Sequence, residues 1–429
     1  MSTTTKHPIP TENVDVAIVG GGPCGLAAAT ELRRAGAGTV VVVEREHEAG
    51  GIPRHARHQG FGLRDLRRPM SGSDYAARWA ELASIAGAEL RTDTQATGWT
   101  ESGELELTGR SGRRRLCARA VILATGCRER PRTARLVPGT RPQGVMTTGM
   151  LQQLVYLRGE APGRQAVVVG AEHVSFSALL TLEHASAKAI AMLTSHPHHQ
   201  TFAAARAVSA VRFRAPLLTR TAVTTIYGRR RVEAVEVTDL ETGQTRELPC
   251  DLVVFTADWI PDHELAVLGG INLDPGTRGP IVDQALHTTR PGVFAAGNLL
   301  HGAETADVAA LTGRHVTAGV VRHLQGDPWP TTSVHLQCAD PLHWIVPNAL
   351  IGSAATDVQP ARQRFLLRAH RELIGPRVEL AQDGRQLWRG RLPRVMPGRS
   401  ARLPTHWTRR VNPQGGPVSA RVLTARRRS

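Results

Sequence analysis

The sequence predicts an α/β fold: two nested Rossmann-like dinucleotide-binding domains, each a three-layer ββα unit, followed by a small C-terminal β-rich domain. Three observations predict it. Near the N-terminus a β-branched run, Val14 to Val19, ends on glycines at G-x-G-x-x-G spacing. In mid-chain a second buried-strand pattern, Gln165 to Val169, also ends on a glycine, Gly170. Beyond Gly326-Asp327-Pro328-Trp329-Pro330, which reads as a linker, helical periodicity gives way to short strand-like runs.

Each part of the first motif has a mechanical role. Gly20 lets the chain turn sharply out of the strand, Gly22 leaves room for a pyrophosphate beside the backbone, and Gly25 lets the following helix pack close to the sheet. The alanine-rich segment Leu26 to Ala35 is that helix, and its N-terminus offers free N–H groups and the positive end of a dipole. A second β-branched run, Thr39 to Val43, ends on Glu44, 19 residues after Gly25, where an acid accepts hydrogen bonds from a ribose. Pro23, Cys24, Arg45, Gly51 and Ile52 complete the predicted cofactor-binding set around this loop.

The type of dinucleotide is indicated further along. Thr289 to Asn298 reads as a turn, a short buried strand and a terminal glycine, Gly297; a long apolar-periodic helix, Ala306 to Leu324, follows. This resembles the second flavin motif of flavoproteins with two dinucleotide-binding domains, as does Ala124-Thr125-Gly126 after the strand Ala120 to Leu123. The resemblance implies FAD, with Thr125, Gly126, Gly297, Asn298, Thr305 and Ala306 near it. The family carries Asp where this chain has Asn298, which keeps hydrogen-bonding capacity and loses the charge. Gly50 to His55, Gly60 to Leu63, Ser71 to Ala76, Cys127 to Pro131 and Pro138 to Val145 are similar to one branch of these proteins. That branch comprises the flavoprotein subunits of hydrogen cyanide synthase and opine oxidases and the flavoprotein accompanying anaerobic glycerol-3-phosphate dehydrogenase. The similarity runs from about residue 13 to 325 and does not specify a substrate.

The second site departs from the pattern. A dinucleotide fingerprint after Gly170 needs glycines at positions 172 and 175, and the chain has Glu172 and Ser175. Two unit charges 4 Å apart repel by about 1 kcal/mol in water and about 4 kcal/mol at a surface-like dielectric, so a carboxylate at 172 opposes a pyrophosphate. The next strand, Ala189 to Leu193, ends at Thr194-Ser195 without an acid for a ribose. The expectation is a Rossmann-like unit that has kept its shape and lost ordinary NAD(P)H binding. The competing reading places the phosphates in an altered loop served by Arg206, Arg212 and Arg214.

Other features narrow the chemistry. The five cysteines, Cys24, Cys117, Cys127, Cys250 and Cys338, include no C-x-x-C pair, which excludes a flavin-linked dithiol reductase. Cys338 alone lies in the last hundred residues, so the cysteine-ligated cluster that the resemblance implies for opine oxidases has no ligand set there. Cys24, Cys117 and Cys250 read as packing residues. The net charge of +16 is carried almost entirely by scattered Arg, with Lys6 and Lys188 the only lysines, and no nucleic-acid motif accompanies it. Arg426 to Arg428 reads as a solvated tail. His196, His198 and His199 lack spaced acidic or Cys partners and read as a turn, so no metal site is expected. No 18-residue apolar stretch and no apolar leader are present, and the cysteines are unpaired, so a cytoplasmic location is expected.

The predicted domains are 13–130 with 276–326 for FAD, 161–260 for the degenerate Rossmann-like unit, and 331–429 for the β-rich domain. Asp383-Gly384 between two strand-like runs is a hairpin signal. The flavin supplies the redox chemistry, so the protein's part is to position substrate. His55 and His58 are the catalytic candidates, with Phe61 beside them; the alternative is a loop closing over the cofactor. Glu304 and Asp307 lie at the flavin-facing helix start and act on substrate or on the helix dipole. The expected function is transfer of a hydride from a small amine, amino acid or polyol-derived donor to FAD and on to an acceptor or partner subunit. Two alternatives stay open: an NAD(P)H-dependent flavin reductase or oxidase, and an electron-relay or assembly subunit of a larger dehydrogenase.

Overall fold

The computed structural model describes residues 9–201, 209–331, 333–351 and 358–423. The chain opens with β1 (Thr11–Val19), α1 (Pro23–Arg34) and β2 (Val40–Val43). Pro23 occupies the first turn of α1, where its missing N–H costs nothing. Cys24 to Thr30 are all buried, and their small side chains let α1 lie between the sheet and a second helix. After α2 (Gly72–Ile85) come β3 (Glu89–Arg91), β4 (Thr94–Trp99), β5 (Leu105–Gly109) and the long β6 (Gly112–Leu123). The sheet order is β3-β2-β1-β6-β5-β4. β1, β2 and β3 run parallel, and so do β1 and β6; β4 and β5 fold back as an antiparallel layer on the first half of β6.

In that first half, Leu116 points into the core and Cys117 points out. The Cys117 side chain is exposed, contrary to its reading as a core residue, because successive residues of a strand face opposite sides. Cys250 is buried as expected.

The second unit is a fully parallel sheet of β7 (Val145–Thr147), β8 (Gln165–Val169), β9 (Lys188–Leu193), β10 (Leu217–Leu218) and β11 (Leu252–Phe255), in the order β7-β11-β8-β9-β10. Helix α3 (His173–His184) follows β8. An antiparallel meander over Thr221–Gly228, Val232–Asp239 and Thr245–Pro249 adds the third layer. β7 lies ahead of residue 161; three residues are too few to show a strand pattern in the sequence. Of the three arginines of the altered-loop reading, Arg206 lies outside the described residues. Arg212 pairs with Glu183 at 2.8 Å, at the C-terminal end of α3 and roughly 15 Å from the turn where a pyrophosphate would lie.

The chain then returns to the first sheet. β12 (Val293–Ala295) pairs in parallel with the second half of β6, in the register Val293↔Val121 to Ala295↔Leu123. α4 (Ala306–Leu324) crosses α1 at Gly313, where a Cβ would lie 2.0 Å from the Cys24 carbonyl oxygen. The linker is pinned: the Trp329 ring meets Phe294 at 5.1 Å and His287 at 4.6 Å.

The C-terminal domain is two packed β-sheets. One has five strands; the other joins β13 (Leu342–Val346), β14 (Phe365–Ala369) and β15 (Ala401–Leu403). Asp383 and Gly384 take φ of 48° and 79°, the backbone of a two-residue hairpin turn between Arg377–Gln382 and Arg385–Arg391. Phe365, Leu367 and Ala369 face this domain's own core, while Trp344, Val346 and Leu366 pack against the first domain. The Arg426 to Arg428 tail lies outside the described residues.

Candidate flavin site and the cleft beside it

The glycine turn at the head of α1 is built as its spacing predicts. A Cβ at Gly25 would lie 2.0 Å from the Gly20 carbonyl oxygen, so helix and turn touch. A Cβ at Gly22 would meet only the Cα of Gly51, at 3.9 Å, so space is open where a pyrophosphate approaches. Gly22 is the N-cap of α1, has no side chain to satisfy the helix donors, and no acid lies in the first turn. Cys24 is buried and its thiol is pushed up to about 12, so it is neutral beside a phosphate. These features fit an anionic diphosphate.

Around the turn, Glu44 is buried, with Oε2 accepting from the Gly21 amide at 2.8 Å and Oε1 from the Glu46 amide at 2.9 Å. Its carboxylate keeps lone pairs for ribose hydroxyls. Arg45 is mostly exposed and lies 3.9 Å from Asp262. Ile52 is exposed on the short helical turn Ile52–His55 that follows Gly51. Thr125 Oγ1 donates to the Asp262 carbonyl at 2.7 Å, and the Asp262 amide donates to the Gly126 carbonyl at 3.0 Å, which locks the crossing strands together.

Gly297 sits over Cys24 with φ of 74°. The Asn298 side chain closes a loop. Oδ1 accepts from the Glu304 amide at 2.9 Å and Nδ2 donates to the Glu304 carbonyl at 3.1 Å. A carboxylate has no donor for the second of these bonds, which accounts for Asn in place of Asp. Thr305 is the N-cap of α4 and Ala306 its first residue; no side chain caps this helix end.

At the second turn the equivalent space is filled. Glu172 is the N-cap of α3. Its Oε2 accepts from the Ala171 amide at 2.9 Å, and its Oε1 accepts from Ser175 Oγ at 2.9 Å and from Thr256 Oγ1. The Ser175 hydroxyl in turn accepts the Glu172 amide at 3.1 Å, which completes a capping box. The helix end thus carries its own carboxylate in the position a phosphate would use. Burial holds that carboxyl above its ordinary range, and Thr256 and Ser175 pull it back.

The two predicted catalytic histidines stand on the loop between the domains. His55 is buried, with Nδ1 3.5 Å from Gln153 Nε2; burial and then Arg54 hold it below the usual histidine range, so it is neutral at pH 7. His58 Nε2 lies 2.7 Å from Ser177 Oγ on α3, which also takes a bond from Gln152. His58 therefore braces one domain against the other, and its ring leans on Phe61, 5.3 Å away.

At the α4 N-terminus the structure gathers Glu304 and Asp307, which the sequence singled out, with Arg368, Ser400 and His301, which it did not. Asp307 accepts from the Gly62 and Arg64 amides at 3.1 and 3.0 Å, which ties the 62–64 loop to the helix start. Glu304 accepts from Ser400 Oγ at 2.5 Å and faces Arg368 Nη2 at 3.5 Å; Arg368 also donates to the Ala303 carbonyl at 3.0 Å. Arg368 is buried against the Trp344 ring, 5.0 Å from its centroid. Burial alone would raise Glu304, but His301, Arg368 and Ser400 together bring it below its ordinary value, so it is ionised. His301 stacks on Trp344 at 4.9 Å, and burial pushes it down to about 4. Its Nδ1 is buried and has no hydrogen-bond partner among the described residues. For Arg368 the hint in the sequence is the alternation Arg364, Leu366, Arg368 on a strand whose other face is apolar.

Among the described residues no helix is long and apolar enough to cross a membrane, and no three His, Cys, Asp or Glu side chains gather as metal ligands. His198 Nδ1 instead lies 3.1 Å from Glu372.

The fold and these two turns define the class: a flavin-dependent oxidoreductase with two Rossmann-like domains, the first shaped for FAD. The chain belongs to the pyridine nucleotide-disulphide oxidoreductase family, whose profile matches residues 14–313. It is 31% identical over 318 residues to the alpha subunit of sarcosine oxidase from Corynebacterium sp. (strain P-1), a match covering 68% of this chain and 30% of that one. It is 25% identical over 397 residues to an opine oxidase subunit of Agrobacterium tumefaciens (strain Ach5), covering 85% of this chain and 76% of that one. In fold it is similar to T. acidophilum thioredoxin reductase, with a TM-score of 0.61 at 22% identity over 72% of this chain and 98% of that one.

Proposed function

We propose that this chain oxidises a small amine, amino acid or polyol-derived donor with FAD and passes the electrons to an acceptor or partner subunit. The observation that carries this reading is the Glu172 carboxylate at the head of α3. It opposes a nicotinamide dinucleotide at the second turn, so the flavin takes its electrons from a donor entering elsewhere. The charged groups at the α4 N-terminus support entry there. Bound FAD supplies a two-electron acceptor for a hydride. The chain's own groups supply the rest: Glu304, ionised between Arg368 and Ser400, and Arg368 present opposite charges that orient the donor. The relatives named as subunits of sarcosine and opine oxidases support an amine donor and a partner chain.

The test is an anaerobic visible spectrum of the FAD-loaded protein with NADH, NADPH, and then secondary amines, amino acids and polyols in turn. Bleaching by a member of the second group and not by the nicotinamides supports the proposal. Rapid bleaching by NADH or NADPH replaces it with the reductase reading. Turnover only in the presence of a co-purifying chain favours the relay role.

A further inference from the structure

Strand β14 alternates cleanly. Phe365, Leu367 and Ala369 are fully buried in the C-terminal core. The opposite face, Arg364, Leu366 and Arg368, looks toward the first domain, where Leu366 packs on that domain's core and Arg368 meets Glu304. Across the ladder, Arg402 of β15 is in register with Leu366, so it stands on the same face, diagonal to Arg364. Two more cations complete the group. Arg362 lies just before the strand, in a short turn packed beside α4, with a left-handed φ of 59° that a non-glycine residue rarely takes. Arg64 is on the loop whose amides Asp307 holds.

None of Arg64, Arg362, Arg364 and Arg402 forms an ion pair with a carboxylate among the described residues. Arg364 donates from Nε to the Arg362 carbonyl at 3.1 Å, and its Nη1 is buried with no hydrogen-bond partner among the described residues. After burial, the charges of Arg364, Arg64 and Arg402 depress Arg362, and those of Arg402 and Arg64 depress Arg364. The nearest acid, Glu304, is already engaged by Arg368 and Ser400. A chain that brings four guanidinium groups together from three segments, one in an unfavourable backbone conformation and one with an orphaned buried donor, has an unmet charge there.

We infer that Arg64, Arg362, Arg364 and Arg402 form a binding site for the anionic group, carboxylate or phosphoryl, of a small molecule that binds beside the α4 N-terminus. Planar guanidinium forks match either group in two-point contacts. The inference rests on the proposed function in one respect, that the donor binds beside the α4 N-terminus; it then restricts the donor to an acid or a phosphate ester. Neutral amines and free polyols lack the group the site needs.

Binding can be read without turnover. The thermal midpoint of the full chain, apo and FAD-loaded, is measured with succinate, inorganic phosphate or neutral glycerol at about 10 mM and matched ionic strength, since a ligand specific to the folded state raises the midpoint. The wild type is expected to rise with at least one anion and not with glycerol; succinate alone marks a carboxylate site, phosphate alone a phosphoryl site. In Arg364→Gln/Arg402→Gln, and separately in Arg64→Gln, affinity is expected to fall about tenfold or more. Without anion, the double variant should melt at or above the wild-type midpoint, because like-charge repulsion is relieved. Arg385→Gln, on the distant hairpin, should behave as wild type. No anion-specific rise, or an undiminished rise in the double variant, overturns the site. A persistent anion response with no donor able to bleach the flavin overturns only the oxidation reading.

Discussion

Glu172 and Ser175 close a reciprocal pair at the head of α3: the Ser175 hydroxyl donates to the carboxylate at 2.9 Å and accepts the Glu172 amide at 3.1 Å. The same turn in the first domain is left open at Gly22, with no side chain on the helix donors. One chain thus contains two copies of a phosphate-binding turn, one free and one filled by its own acid.

Replacing both residues, Glu172→Gly with Ser175→Gly, should open the second turn. NADH or NADPH affinity, read by fluorescence titration, is expected to rise by about tenfold or more as the repulsion is removed. Glycine at the N-cap should cost only a few tenths of a kcal/mol and glycine at the Ser175 position about 0.5 kcal/mol more, read by urea unfolding. An opened turn with no gain in nicotinamide binding would show that Glu172 is not what blocks it.

The first turn separates folding from binding. Gly25→Ala places a methyl 2.0 Å from the Gly20 carbonyl oxygen and should destabilise the apo protein by about 3 kcal/mol or more. Gly22→Ala meets nothing nearer than 3.9 Å, so apo stability should stay within about 0.5 kcal/mol of wild type. FAD affinity should still fall, because the methyl stands where the pyrophosphate approaches. Equilibrium dialysis of FAD with both variants distinguishes the two effects.

Arg368 and Glu304 form a buried pair between the C-terminal and first domains. Arg368→Met alone leaves an uncompensated buried carboxylate and should cost about 3–5 kcal/mol; adding Glu304→Met should recover much of that. A double-mutant cycle from urea unfolding gives the coupling. Additive costs would mean that the two side chains act independently.

Glu129 is buried and takes the Gly149 amide on Oε2 at 2.7 Å; its Oε1 has no hydrogen-bond partner among the described residues. Burial raises its carboxyl to about 7 from an ordinary 4.5. The folded state therefore holds a proton that the unfolded state has released. That contribution is fully present below about pH 4.5 and is lost as pH rises through about 7. Glu129→Gln should remove this loss and be more stable than wild type at pH 8 by up to about 3 kcal/mol relative to their difference at pH 4.5. Parallel pH profiles would refute it.

His301 has the opposite dependence. Its imidazole stays neutral down to about pH 4, while the unfolded chain takes up a proton near 6.5. Stability from this group is complete above about pH 6.5 and falls as pH drops toward 4, by about 1.4 kcal/mol per pH unit. His301→Asn should flatten that limb.

The parts of the fold that the sequence carried are those built from local contacts. The three-glycine turn, the alanine-rich α1 and the acid closing β2 lie within 30 residues, and their spacing alone specifies a strand–turn–helix–strand unit. The Asp383-Gly384 hairpin was legible for the same reason. Cys117 was misread because its strand is half apolar and half alternating, and which face looks outward depends on what packs there.

What the tertiary structure decided is the charged cluster at the α4 N-terminus. Arg368 meets Glu304 across 64 residues of chain, and Arg64 approaches Arg362 from the far side of two domains, so no window of sequence contains the juxtaposition. Asn298 likewise was legible as a departure from a pattern, and its partner, the Glu304 main chain, became visible only once the loop closed. Spacing along the chain sets backbone geometry because bond lengths and dihedrals are local. Which charges share a low-dielectric space is set by packing, and packing brings together residues that the sequence keeps apart.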